Sequence, residues 1–218
     1  MKQSAHMTER ASYFETYDPL TETVNRKTMR KRAEQKLLES QEDKTAWSLT
    51  LVTPKNLADI NDTSGHDLGD RVLQELAAML EGLCDDECIV SRISGATFAI
   101  FTPQKLYNRQ HKIVAARLKR GFKLNIDSRA VLVKLNSGTA HFPQHGDTFE
   151  TLLRNAELTL CHAQNVGPNI YKTFTPELAA TQRAHTALKK SFKNAILKQQ
   201  IIPYYLSLIH ISEPTRPY

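Results

Sequence analysis

"SRISGATFAIFT", residues 91–102, decides how the chain is read. Ile93, Phe98, Ile100 and Phe101 are apolar, Ile89 precedes them, and Ser94-Gly95 sits at the centre. Two short apolar strands around a small polar residue and a glycine describe a β-hairpin. The turn carries no carboxylate, so the stretch is either a plain hairpin or a catalytic hairpin stripped of its chemistry. Its surroundings decide between the two.

Working outward, "AWSLTLVT" (46–53) reads as a strand, followed by "NLADINDTSGHDLGD", a polar stretch rich in turn formers. Leu68, Val72, Leu73, Leu76, Met79, Leu80 and Leu83 then recur at helical spacing and predict an amphipathic helix leading into the hairpin. Beyond the hairpin, 107–122 reads as a helix and 129–143 as one strand, with "FKLNI" (122–126) as its partner. Residues 147–166 read as a helix, capped by Asp147 or Thr148 and stopped by Gly167. A strand at 169–174 and a helix over 176–199 complete the run, and 11–40 reads as helical with a break at "DPLTETVNR" (18–26). Adjacent hairpin strands with alternating helices argue an α/β sandwich around a mixed sheet.

Composition bounds the function. The 218 residues are 40% apolar, enough for a packed core, and carry a net charge of +6. Mean hydropathy is -0.44 and no apolar run is long enough to span a bilayer. The first twenty residues hold no apolar signal core, so a cytoplasmic location is expected. Basic clusters at 26–32, 117–123 and 188–193 lie beside apolar residues on predicted helices, which favours solvated helix faces over an RNA-binding surface. Cys84, Cys88 and Cys161 form an odd set suited to a reducing compartment. "CDDEC" without a second pair makes a poor zinc site, and half-buried thiols are expected instead.

Four separated blocks carry a resemblance: "DPLTETVNR" (18–26), "INDTSGHDLGD" (60–70), "SRISGATFAIF" (91–101) and the run from Gly138 to Tyr171. In order and spacing they resemble the GGDEF domain, over residues 12–176. The resemblance implies a nucleotidyl-cyclase, palm-like α/β fold with a mostly antiparallel central sheet flanked by helices. Active members join two GTP molecules into cyclic di-GMP using Mg²⁺. By the same resemblance, the metal and catalytic carboxylates fall at Thr53, Ala96 and Thr97, where none is present. Lys55 occupies a further position that is acidic in the family, Gln164 and Pro168 stand where phosphate-anchoring cations belong, and the inhibitory site aligns with Asp85 and Cys88 without its arginine. Asn61 and Asp70 match the guanine-reading residues; a turn role for Asn61 and a first-turn role for Asp70 are the plain alternatives. Arg92 matches the arginine before the turn, and His66 and His162 have no evident catalytic partner.

The expectation is therefore a degenerate GGDEF domain that needs no cofactor. Residues 1–11 are a leader and 177–205 a linker helix, in which 184–205 is similar to the opening of an EAL (cyclic di-GMP phosphodiesterase) domain. "LSLIHISEPTR" (206–216) is similar to translated sequencing-adapter DNA, which makes 206–218 an artefact on a truncated chain. The expected role is regulation of the downstream EAL domain, with a homodimer and weak GTP binding as further partners. A structural protein- or RNA-interaction module is the alternative, and an active cyclase a third reading.

Overall fold

The computed structural model describes residues 13–105, 122–126, 129–198 and 200. The helix expected over 107–122, the leader, and the EAL-like and adapter-like residues from 201 onward lie outside these residues, save Phe122. The chain divides after Ala180 into two compact units.

In the first unit, six strands form one sheet: β1 (Val24–Asn25), β2 (Trp47–Pro54), β3 (Ile89–Ser94), β4 (Thr97–Pro103), β7 (Leu135–Phe142) and β8 (Tyr171–Thr173). Their order is β1-β3-β4-β2-β7-β8. The three inner pairings are antiparallel, while β1 and β8 add to the two edges in parallel. β5 (Phe122–Ile126) and β6 (Arg129–Val133) make a separate two-stranded sheet.

Alternation along the strands splits the apolar side chains between two faces. Leu49, Leu51, Ala99 and Phe101 pack with α1 (Arg26–Asp43) and α4 (Phe149–Val166). Val52, Val90, Phe98 and Ile100 pack with α3 (His66–Glu81) and with Leu124, Ile126 and Val133 of the small sheet. The quoted hairpin thus has one residue set in each core.

Four details depart from the sequence reading. The hairpin turn is Gly95-Ala96, one residue later than expected, because Ser94 pairs with Thr97 and Ile93 is left out of the ladder as a bulge; Gly95 takes φ +47° there. The polar stretch after β2 is not a loop. Leu57 and Ile60 turn toward the second core and draw 57–64 into helix α2 (Leu57–Ser64), separated from α3 by Gly65 at φ +86°. The expected strand 129–143 is two strands, broken at Lys134. The Asn56 side chain donates to the Leu132 carbonyl (2.9 Å) and accepts from the Lys134 N–H (2.8 Å), taking backbone groups that a continuous ladder would use. Finally, the break at 18–26 contains β1, with Val24 opposite Ser91 and Asn25 opposite Arg92.

Helix boundaries follow local chemistry. Asn25 caps α1 by accepting from Thr28 N–H (2.9 Å), and Lys44 ends it at φ +54°. Thr148, not Asp147, caps α4, accepting from Thr151 N–H at 3.2 Å, and Gly167 stops it as expected. Helix α5 (Pro176–Leu197) begins in the first unit, where Ala179 is buried. In the second unit the helix exposes Leu188, Phe192 and Ile196, one every fourth residue.

One corner of the first unit is tuned to pH. His145 Nδ1 accepts from the His141 N–H (3.0 Å) and its ring meets the edge of Phe174. Burial pushes the His145 pKa below its usual 6.5. The folded state therefore favours the neutral ring, so the stability it contributes is complete above the usual value and lost as pH falls through the lower folded value. Thermal melts should show falling stability from about pH 7 to about pH 5, less steeply in His145→Gln. Parallel profiles for the two proteins would remove His145 as the cause.

Candidate functional site

The site expected from sequence lies at one end of the hairpin. The register runs Leu51↔Ala99 and Val52↔Phe98, which brings Thr53 at the end of β2 beside Thr97 at the start of β4. Ala96 is one residue away in the turn. Thr53 is buried, Ala96 and Thr97 are half-buried, and Lys55 is exposed just beyond the strand. A hard divalent cation takes oxygen ligands and favours carboxylates. Two threonines, an alanine and a nearby ammonium do not form such a donor set. Among the described residues no group of three or more His, Cys, Asp and Glu side chains is placed to hold a metal ion.

Asn61 and Asp70 sit on the two helices after β2. Asn61 lies within α2 rather than in a turn, and Asp70 is exposed on the second turn of α3, where Asp67 is the first-turn acid. The plain roles expected for them therefore fail on position. Gly69 is buried against Asn61: a Cβ there would stand 1.8 Å from Asn61 Oδ1. That oxygen is itself buried without a hydrogen-bond partner, an arrangement that costs desolvation unless something donates to it. The helix corner thus holds an unused acceptor, and Asp70, the residue after Gly69, is exposed.

The remaining candidates are spread apart in the fold. Gln164 is half-buried near the end of α4 and Pro168 is exposed beyond it. Asp85 and Cys88 lie in the turn between α3 and β3. His66 is exposed at the start of α3, and His162 on α4 keeps a buried Nδ1 without a partner.

Arg92, matched in the sequence to the arginine before the turn, binds two partners. Its Nη1 donates to Asp18 Oδ1 (3.0 Å) and its Nε to the Gly95 carbonyl (2.7 Å). Asp18 Oδ1 also accepts from Leu20 N–H, Thr21 N–H and the Thr21 hydroxyl. Burial alone would raise the Asp18 pKa, but the hydrogen bonds from Thr21 and Arg92 outweigh it and hold the carboxyl below its usual range. Nothing in the sequence joins two residues 74 apart; the signal was only that both fall in motif blocks. Asp18→Asn should lower the unfolding free energy by about 2 kcal/mol, because a charge-assisted pair and a turn are weakened together. Urea titration near neutral pH reads it, and an unchanged midpoint would mean that Arg92 finds an equal partner.

Comparison with known proteins agrees with the fold. The family model described as "Diguanylate cyclase, GGDEF domain" matches residues 15–169. The cyclic di-GMP phosphodiesterase NbdA of Pseudomonas aeruginosa is 24% identical over 156 residues, 71% of this chain and 20% of that protein. The bifunctional diguanylate cyclase/cyclic di-GMP phosphodiesterase MucR of the same organism is 24% identical over 193 residues, 87% of this chain and 28% of that protein. The chain therefore spans less than a third of the length of either relative. The solved GGDEF domain of TpbB, also from Pseudomonas aeruginosa, superposes with a TM-score of 0.71 at 23% identity, covering 77% of this chain and 99% of that one. Among the described residues no helix is long and apolar enough to cross a membrane. A family match over most of the chain, with the same fold in a solved domain, shows that this protein belongs to the GGDEF-domain family of cyclic di-GMP signalling proteins.

Proposed function

We propose that this chain is a GGDEF domain without cyclase activity, acting as the regulatory module of a cyclic di-GMP signalling protein. The observation that carries the reading is the pair of neighbouring strand ends at which Thr53, Ala96 and Thr97 stand. Attack of a ribose hydroxyl on a nucleotide phosphorus needs metal on the phosphates and cations on the tail. Gln164 and Pro168 leave the phosphate end without charge, and Lys55 opposes a metal. Asn61 and Asp70 remain as a guanine-reading pair, which by itself gives weak GTP binding.

The regulated partner in this reading is an EAL-type phosphodiesterase barrel following Tyr205, with 206–218 as foreign sequence. The similarity of 184–205 to an EAL opening supports it. So does the exposed row of Leu188, Phe192 and Ile196, a face suited to a packing partner. A homodimer is a second way to cover that row.

The test is incubation of the full chain with GTP and Mg²⁺, with the products read by mass spectrometry. No cyclic di-GMP above the protein-free blank is the expected result, and steady accumulation overturns the proposal. The triple variant Thr53→Asp, Ala96→Asp, Thr97→Glu examines the alignment itself. Tighter Mn²⁺ binding than in the parent chain supports it, and no change contradicts it.

A further inference from the structure

The strand ends at the candidate site do more than lose their carboxylates: one charge there is reversed. Lys55 follows β2 directly, exposed, at a position where the resemblance implies an acid. Its N–H donates to the Lys134 carbonyl (2.7 Å), which fixes its backbone beside the start of β7. Among the described residues its ammonium makes no ion pair, so its charge is open to a ligand.

The surrounding elements suit an anion. Pro54 stands opposite Leu135, and the Leu135 N–H donates to Asn169 Oδ1 (3.1 Å). The turn 167–169, in which Pro168 replaces a phosphate-anchoring cation, is therefore one strand away from the end of β2. Asn56 spends its side chain on Leu132 and Lys134, so the first N–H groups of α2 have no side-chain cap. Uncapped N–H groups at the positive end of a helix favour an anion. Asp59, the acid of that turn, forms no ion pair with Lys55. Further along the same helix, the buried Asn61 Oδ1 lacks a donor that a ligand N–H can supply.

We propose that this corner binds a guanine nucleotide free of metal, with the Lys55 ammonium set against the phosphates in place of a divalent cation. The inference rests on the reading of Asn61 and Asp70 as guanine contacts and adds the charge that attracts the tail. Its consequence is a reversal of sign. A carboxylate-lined cleft needs a cation between itself and the phosphates, so metal strengthens nucleotide binding there. Here a cation on the phosphates cancels the charge that attracts Lys55 and brings two positive charges together. Divalent metal therefore competes with Lys55, and the chain reads free nucleotide rather than its metal complex.

The experiment is equilibrium dialysis of radiolabelled GTP against the full chain, once with EDTA and once with excess Mg²⁺, the Mg²⁺ samples also being analysed for cyclic di-GMP. GTP is expected to bind about threefold tighter in EDTA, the effect of one exposed charge pair. Lys55→Asp should reverse the order, binding more tightly with Mg²⁺, while Asn61→Ala should weaken binding in both conditions by the same factor. Lys55 is exposed, so its replacement leaves the fold intact, and an unchanged circular dichroism spectrum checks this. Equal or tighter binding of the parent chain with Mg²⁺, or a preference for EDTA that survives in Lys55→Asp, overturns the proposal and leaves the inactive-domain reading standing. No binding in either condition overturns it together with the guanine pair. Cyclic di-GMP in the Mg²⁺ samples overturns both the proposal and the inactive-domain reading, since a working cleft uses metal-bound GTP.

Discussion

Gly138→Ala is expected to destabilise the protein by about 3 kcal/mol, at the upper end of overpacking costs. Gly138 lies in the middle of β7, opposite Leu51 of β2 and Lys172 of β8. Helix α4 crosses β7 at this point with its backbone. A Cβ on Gly138 would meet Leu160 N at 2.3 Å and the Ala156 carbonyl oxygen at 2.6 Å. No side chain can swing away, because the obstructing atoms are main chain. Relief requires the helix to lift from the sheet, separating Leu152, Leu153, Ala156 and Leu160 from the first core. Urea unfolding followed by circular dichroism measures the loss, and a midpoint equal to that of the parent would show that α4 can shift freely. Substitution by valine should be worse, because its branched side chain adds bulk to the same contact.

The second large effect is expected at Phe101. It is fully buried, and its ring stacks on Trp47 with centroids 4.6 Å apart and planes 6° from parallel. Trp47 is itself pinned, its indole N–H donating to Ser40 Oγ at 2.6 Å. Removing the ring therefore leaves a cavity bordered by a side chain that cannot follow. Phe101→Ala should cost about 4 kcal/mol from lost burial and the cavity together. Phe101→Leu should recover more than half of that, since volume counts for more than aromaticity here. Equal losses for both variants would assign the effect to stacking.

These two positions show what the sequence discloses and what it conceals. Phe98, Ile100 and Phe101 announce a strand at once, because alternation and a flanking glycine are local signals. The spacing from Leu68 to Leu83 likewise fixes α3. Helix α2 stays hidden because its only apolar residues, Leu57, Ala58 and Ile60, sit among turn formers, and burial against distant strands decides its state. The break at Lys134 rests on Asn56, 78 positions away. At the site, the identities of Thr53, Ala96 and Thr97 can be read directly from motif spacing. The stranded Asn61 oxygen cannot, because it depends on how closely α2 approaches Gly69.

Arg92 has a mechanical meaning. One guanidinium grips the carboxylate at the entrance to the domain and, with another nitrogen, the carbonyl at the tip of the hairpin. The entry segment and the tip are moored to the same post. A pull or twist delivered through the chain ahead of Asp18 therefore has a two-hydrogen-bond route to the Gly95-Ala96 tip, beside the contacts that Tyr17 and Leu20 make with the two cores.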